Sequence, residues 1–183
     1  MGLFYFDLET FSKGLKPNAV EDDIISMQFQ ELNPNNGSPI GELEIVKGWE
    51  VGEKGIIEKC RDLVVPWKFI PVGVNLAFDF LFLREKFRKY GFYEVPGARF
   101  KWFIRELPYI DLKHVLVLAN GCRFKGYNSI LGKNGENASI RDYYIAQDFL
   151  KIIDYIKRES EATIKLFKTA LEIVPEINNR IKD

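Results

Sequence analysis

The sequence predicts an α/β fold: a mixed sheet of about five strands, the first three antiparallel, flanked by helices and followed by a helical C-terminal half. Three observations carry the prediction. Leu3-Phe4-Tyr5-Phe6 is an apolar, aromatic run suited to a strand buried on both faces. Apolar and polar residues then alternate from Ile25 to Leu32 and again from Ile40 to Val46, the mark of half-buried strands. Beyond Gly126 the apolar residues recur mostly at helical spacing, over about Ala146 to Ile173 in the longest stretch.

Taken in order, the first strand ends in Asp7-Leu8-Glu9-Thr10, and Phe11 to Glu21 has loop composition. Strands two and three flank the turn-forming Asn33-Pro34-Asn35-Asn36-Gly37-Ser38-Pro39, which makes them a hairpin, both expected to pair antiparallel with the first. Gly52 to Leu63 carries Ile56, Ile57, Cys60 and Leu63 at helical spacing and is closed by Pro66. Phe69 to Leu76 is an apolar strand that returns beside the first by a crossover. Phe78 to Tyr90 follows as a helix whose outer face is expected to carry Arg84, Lys86, Arg88 and Lys89. Tyr109 to Leu112 forms a short strand leading into a helix over Lys113 to Ala119, and the last helix is expected to end near Pro175.

The totals bound the function. The 183 residues are read as a single domain, a length that buries roughly 70% of the unfolded surface. Formal charge is zero, which excludes a uniformly basic surface for coating nucleic acid but not a local patch. Cys60 and Cys122 lie far apart without zinc-ligand spacing, so neither a zinc site nor a disulfide scaffold is indicated and a cytoplasmic location is expected. No apolar run approaches the ~20 residues of a membrane span, and no signal-peptide pattern opens the chain. Abundant Lys, Glu and Ile with a single His lean toward a thermophilic source.

Three acidic sites stand out. Asp7 and Glu9 are two apart on a strand, so both point to one face. Like charges at the edge of an apolar core repel, whereas a hard divalent cation between them reverses that sign. Taken alone, the pair reads equally well as two solvated acids. Asp79 stands after a second apolar strand, in Val72-Gly73-Val74-Asn75-Leu76-Ala77-Phe78-Asp79, where a first-turn acid also stabilises a helix without other function. On the last helix Tyr155 and Glu159 are four apart and border the stripe Ile152, Ile156, Ile164 and Phe167.

Together, Phe6-Asp7-Leu8-Glu9-Thr10, the Asn75-x-x-Phe78-Asp79 segment and Tyr155-x-x-x-Glu159 resemble the three motifs of the DEDD superfamily of 3′–5′ exonucleases, in its tyrosine subtype. The likeness is greatest to the proofreading domain of family-B DNA polymerases, where an Asp-Leu dipeptide such as Asp111-Leu112 also follows. It covers roughly Leu3 to Phe167. The third motif departs from the pattern, since the family has Asp where this chain has Glu159. Tyr144 and Asp148 offer the family spacing elsewhere, but the residues that trail Glu159 match better. His114 has Ala119 rather than an acid five residues on, so the histidine subtype does not apply.

The resemblance implies an RNase H-like fold and a metal-dependent 3′–5′ exonuclease acting on the 3′ end of single-stranded DNA, with RNA as the other candidate substrate. It implies two divalent cations, Mg²⁺ or Mn²⁺, held by oxygen ligands. Asp7 would bridge them, Glu9 and Glu159 would complete one site, and Asp79 would serve the other. Tyr155 would orient the attacking water. Thr10, Asn75 and Phe78 would contact the strand. Arg99, Lys101, Trp102 and Arg105, in a segment mixing cations with aromatic faces, would bind it by charge and stacking, although a core-facing aromatic segment has the same composition. A polymerase or repair protein is the implied partner. The alternative is a nucleic-acid-binding or polymerase-accessory domain of the same fold, with turnover lost through the extra methylene of Glu159, since ~1 Å of misplacement costs ~100-fold.

Overall fold

The computed structural model describes residues 2–14, 16–64, 69–92, 108–123 and 137–182. Its sheet has five strands: β1 (Gly2–Phe11), β2 (Asp23–Leu32), β3 (Pro39–Lys47), β4 (Phe69–Gly73) and β5 (Ile110–Asp111), in the order β3-β2-β1-β4-β5. The pairs β1–β2 and β2–β3 are antiparallel, and β1–β4 and β4–β5 parallel. This is the predicted mixed sheet, with one correction. Strand β3 pairs with β2 alone and does not touch β1 in the ladder, because β4 occupies the other edge of β1.

Helices among the described residues are α1 (Gly48–Val64), α2 (Leu76–Lys89), α3 (Lys113–Ala119), α4 (Asn137–Ile145) and α5 (Phe149–Lys182). Alternation along β1 divides them between the two faces. Phe4, Phe6 and Leu8 pack with Ile56 and Ile57 of α1 and with Phe80, Leu83 and Phe87 of α2. Leu3 and Tyr5 point the other way and pack with Ile164 and Phe167 of α5. A central strand clothed on both faces has no need of polar residues until its end, which is where Asp7 and Glu9 stand.

Three boundaries differ from expectation for physical reasons. Helix α1 begins before Gly52, whose φ of 73° breaks the helical path and joins two helical pieces across a kink. Strand β4 stops at Gly73, and α2 starts at Leu76. Pro175 lies inside α5, which continues to Lys182, so proline does not end the helix.

Lys86 also departs from the expected outer face of α2, being only 1% exposed. Its ammonium lies 3.2 Å from Glu53 Oε1 of α1 and donates to the Asp22 carbonyl oxygen. Glu53 also accepts from the Ile24 amide at 2.9 Å and the Tyr90 hydroxyl at 2.7 Å. A lysine on a polar face is buried here because its charge is paired and hydrogen-bonded. No described helix is long and apolar enough to cross a membrane.

Candidate active site

The C-terminal end of β1 carries the site, and its backbone geometry begins the construction. The β1–β2 register shifts between Glu9 and Thr10, where Ile25 is the extra residue of a bulge. Up to that point Asp7 pairs with Gln28, and Glu9 with Ser26, so these four side chains share one face of the sheet.

Helix α5 brings the third acid. Ile152, Ile156, Ile164 and Phe167 are buried as the spacing predicts, together with Tyr155, Ser160 and Thr163. Glu159 falls within this stripe, so the packing that seats α5 turns a half-buried carboxylate toward the sheet. One carboxylate oxygen each from Asp7, Glu9 and Glu159 lie within 4.8 Å of one another, and each residue is half-buried. Among the described residues this is the one cluster of three or more potential metal ligands. At an effective dielectric of ~20, two unit charges at such a separation repel by roughly 3 kcal/mol before solvent screening reduces it. The donor set is all carboxylate oxygen, which suits a hard divalent ion.

Asp79 stands beside this cluster in the first turn of α2 and is 2% exposed. Burial pushes its carboxyl well above the ordinary carboxylate range, and the charges of Asp7 and Glu9 push it further. Hydrogen bonds from its own amide and the Leu8 amide pull the other way without reversing the shift. Burial and neighbouring acids thus both disfavour charge on this carboxyl, and a nearby cation would act in the opposite sense.

Gly73 sets the approach of β4 to β1. A Cβ there would lie 2.6 Å from the Phe6 carbonyl oxygen and 2.7 Å from Leu76 Cδ2, so only glycine allows this fit. Two residues on, Asn75 takes the left-handed conformation (φ 66°, ψ 38°) that turns the chain into α2. Its backbone amide donates to Asp111 Oδ1 at 2.8 Å, and Lys113 Nζ donates to its Oδ1 at 2.7 Å.

Polar residues under the acids were not singled out in the sequence. The Tyr5 hydroxyl donates to Asp7 Oδ2 at 3.5 Å, and Gln28 Nε2 to the same oxygen at 3.1 Å. The Ser26 hydroxyl donates in turn to Gln28 Oε1 at 3.3 Å. Burial, then the charges of Asp7, Glu9 and Asp79, hold the Tyr5 phenol well above its usual range, so it remains a donor. Ser26 and Gln28 are fully buried, whereas an alternating strand is read as offering its polar face to water. The available signal was their register opposite an acidic strand end.

Of the other sequence candidates, Tyr155 is 5% exposed and near enough to Tyr5 to raise its pKa. Thr10 follows Glu9 just beyond the bulge. Phe78 is half-buried against the core and packs on Phe82 with ring centroids 4.8 Å apart. The alternative third pair does not join the acids. Tyr144 packs tilted against Phe11 with ring centroids 5.0 Å apart, and Asp148 pairs with Lys151 at 2.5 Å, a bond that holds its carboxyl below the usual range. Arg99, Lys101, Trp102 and Arg105 lie outside the described residues.

No family model and no curated protein matches this sequence. Among solved structures, the chain is similar to the family B DNA polymerase of the hyperthermophilic archaeon Pyrobaculum calidifontis, with a TM-score of 0.61 and 14% identity over 95% of this chain and 24% of that one. Two structures of exonuclease I, one with the inhibitor BCBP and one apo, have a TM-score of 0.47 at 16% identity. They cover 68% of this chain and 31% and 32% of theirs. The chain thus spans about a quarter of the length of the polymerase it resembles, and what it shares with that polymerase is the fold.

Proposed function

We propose that this chain is a divalent-metal-dependent 3′–5′ exonuclease of the DEDD superfamily, tyrosine subtype, that hydrolyses phosphodiester bonds at the 3′ end of single-stranded DNA. The observation that carries the reading is the meeting of Asp7, Glu9 and Glu159, two from the first strand and one from the last helix, beside the buried Asp79. Carboxylates drawn from both ends of a chain repel each other, and their convergence has a physical rationale where a cation is bound.

Asp7, Glu9, Asp79 and Glu159 would hold two Mg²⁺ or Mn²⁺ ions. Bound there, such ions supply a nucleophilic water at neutral pH and neutralise charge on the leaving oxygen. Gln28 and Tyr5 fix the Asp7 carboxylate by donating to its Oδ2. Tyr155 orients the attacking water as a hydrogen-bonding phenol. Asn75, Phe78 and Thr10 position the terminal nucleotides, and Arg99, Lys101, Trp102 and Arg105 bind the strand further on. RNA is a second candidate substrate, and a polymerase or repair protein the partner class.

The test is incubation of a 5′-labelled single strand without metal, with Mg²⁺ and with Mn²⁺. Stepwise shortening from the 3′ end that needs metal and vanishes in Asp7→Ala is expected. Binding of the strand without shortening in either metal would assign the chain instead to a non-catalytic nucleic-acid-binding role.

A further inference from the structure

Asn75 is held from two directions by residues that no motif above assigns a role. Asp111, at the end of the short strand β5, accepts through one oxygen from the Asn75 amide at 2.8 Å and from the Lys113 amide at 2.9 Å. That shared acceptor ties the β4–α2 turn to the start of α3. The Lys113 side chain then returns across the same gap, and its Nζ donates to Asn75 Oδ1 at 2.7 Å. Asn75 receives no capping hydrogen bond of its own making, and its left-handed backbone is one that a non-glycine residue adopts only when its surroundings hold it there.

The chemistry of the lysine fixes the orientation of the carboxamide. An ammonium has only protons to give, so the Asn75 atom facing it is the carbonyl oxygen. The Nδ2 amide, a pure donor, is what remains for a ligand. These residues line a groove of about 490 Å³ whose surface is polar at Asn75, Lys113 and His114 and apolar at Ala77, Val117 and Leu118. That mixture, an apolar wall with a few convergent polar groups, is how ligand-binding grooves are built.

Resting on the exonuclease reading above, we propose that Asp111 and Lys113 are positioning residues: they lock Asn75 so that its Nδ2 presents a hydrogen-bond donor to an acceptor oxygen of the polynucleotide strand lying in this groove. Asp111 sets the backbone of Asn75 and Lys113 sets its side chain. Neither acts on the reacting phosphate. Their effect passes through Asn75, which predicts a particular pattern of non-additivity.

The experiment is a double-mutant cycle on strand binding, read by fluorescence anisotropy of a labelled single-stranded oligonucleotide with Ca²⁺ present. It uses Asp7→Ala protein to exclude cleavage. Lys113→Met and Asn75→Ala are each expected to weaken binding ~5–10-fold, the scale of one lost hydrogen bond. Combined, they are expected to weaken it no further than Asn75→Ala alone. Asp111→Asn, which keeps the accepting oxygen, should bind near the parent level, whereas Asp111→Ala should match Asn75→Ala. A merely structural role for Asp111 would lower the melting temperature of Asp111→Ala without selectively weakening strand binding, and that result would overturn the inference. Additive losses from Lys113→Met and Asn75→Ala would also overturn it, because Lys113 would then contact the strand directly. If the wild-type chain binds but shortens no strand in Mg²⁺ or Mn²⁺, the exonuclease reading fails while the cycle still decides this one. If the wild-type chain with Ca²⁺ binds no strand, both fall.

Discussion

Gly73→Ala tests whether the fit of β4 against β1 is what seats Asp79 beside the other acids. The added methyl would lie 2.6 Å from the Phe6 carbonyl oxygen and 2.7 Å from Leu76 Cδ2. Restoring ordinary contact at 3.4 Å requires a shift of about 0.8 Å, and the Phe6 oxygen belongs to a central strand that cannot easily yield. The displacement is therefore expected in β4 and the start of α2, which carries Asp79 away from Asp7. Overpacking of this kind costs ~1–3 kcal/mol. In a chain of this length each kcal/mol lowers the melting temperature by ~2–4 °C. If Asp79 holds metal as proposed, the same sub-ångström displacement is expected to slow strand shortening by ~10–100-fold. Thermal unfolding by circular dichroism and 3′-shortening in Mn²⁺ would be measured on the same preparation. Gly14→Ala serves as the control, because its methyl meets nothing nearer than 3.7 Å. A Gly73→Ala protein that melts and cuts like the wild type would refute the claim that this close approach builds the site.

Asp79→Asn is expected to raise the metal-free melting temperature at neutral pH. With the folded carboxyl held above its unfolded value, the stability it contributes is fully present below the ordinary carboxylate range near pH 4 and is lost as pH rises through its folded value. The wild type without metal should therefore lose stability over that rise and Asp79→Asn should lose less; equal pH profiles for the two proteins would contradict this. Mg²⁺ or Mn²⁺ should stabilise the wild type in a concentration-dependent way that chelation reverses, by ~2.7 kcal/mol at a hundredfold excess over the dissociation constant. No such shift is expected for Asp7→Ala, and a metal response that survives that substitution would place the ions elsewhere. Glu159→Ala should abolish shortening while Asp148→Ala leaves it within about twofold, an order that would reverse if Asp148 were the third acid.

Much of this arrangement is legible in the sequence. Asp7 and Glu9 share a face because strand period is fixed at two, and Asp79 follows from a strand running into a helix. Glu159 was legible as the partner of Tyr155 on the border of the stripe Ile152, Ile156, Ile164 and Phe167, and the resemblance to the third motif is what singled it out. What the sequence concealed was which polar face meets water. Alternation in β2 distinguishes Ser26 and Gln28 from Met27 and Phe29 but does not reveal that both sets are buried. Lys86 was hidden for a related reason: its partner Glu53 lies on another helix, and no local pattern announces the pairing. The hold of Asp111 and Lys113 on Asn75 likewise joins segments far apart in the chain. Pro175 misled because proline marks a probable stop, and α5 runs through it.

The acids of β1 and Glu159 come from opposite ends of the chain, and this bears on when the site exists. Hairpin contacts among β1, β2 and β3 close early in folding, being near in sequence, whereas docking of the last helix closes the longest loop. The three carboxylates therefore come together only when that helix docks, after the hairpin has formed. A divalent ion held by those carboxylates would favour the docked helix, so that binding it and completing the fold would be linked.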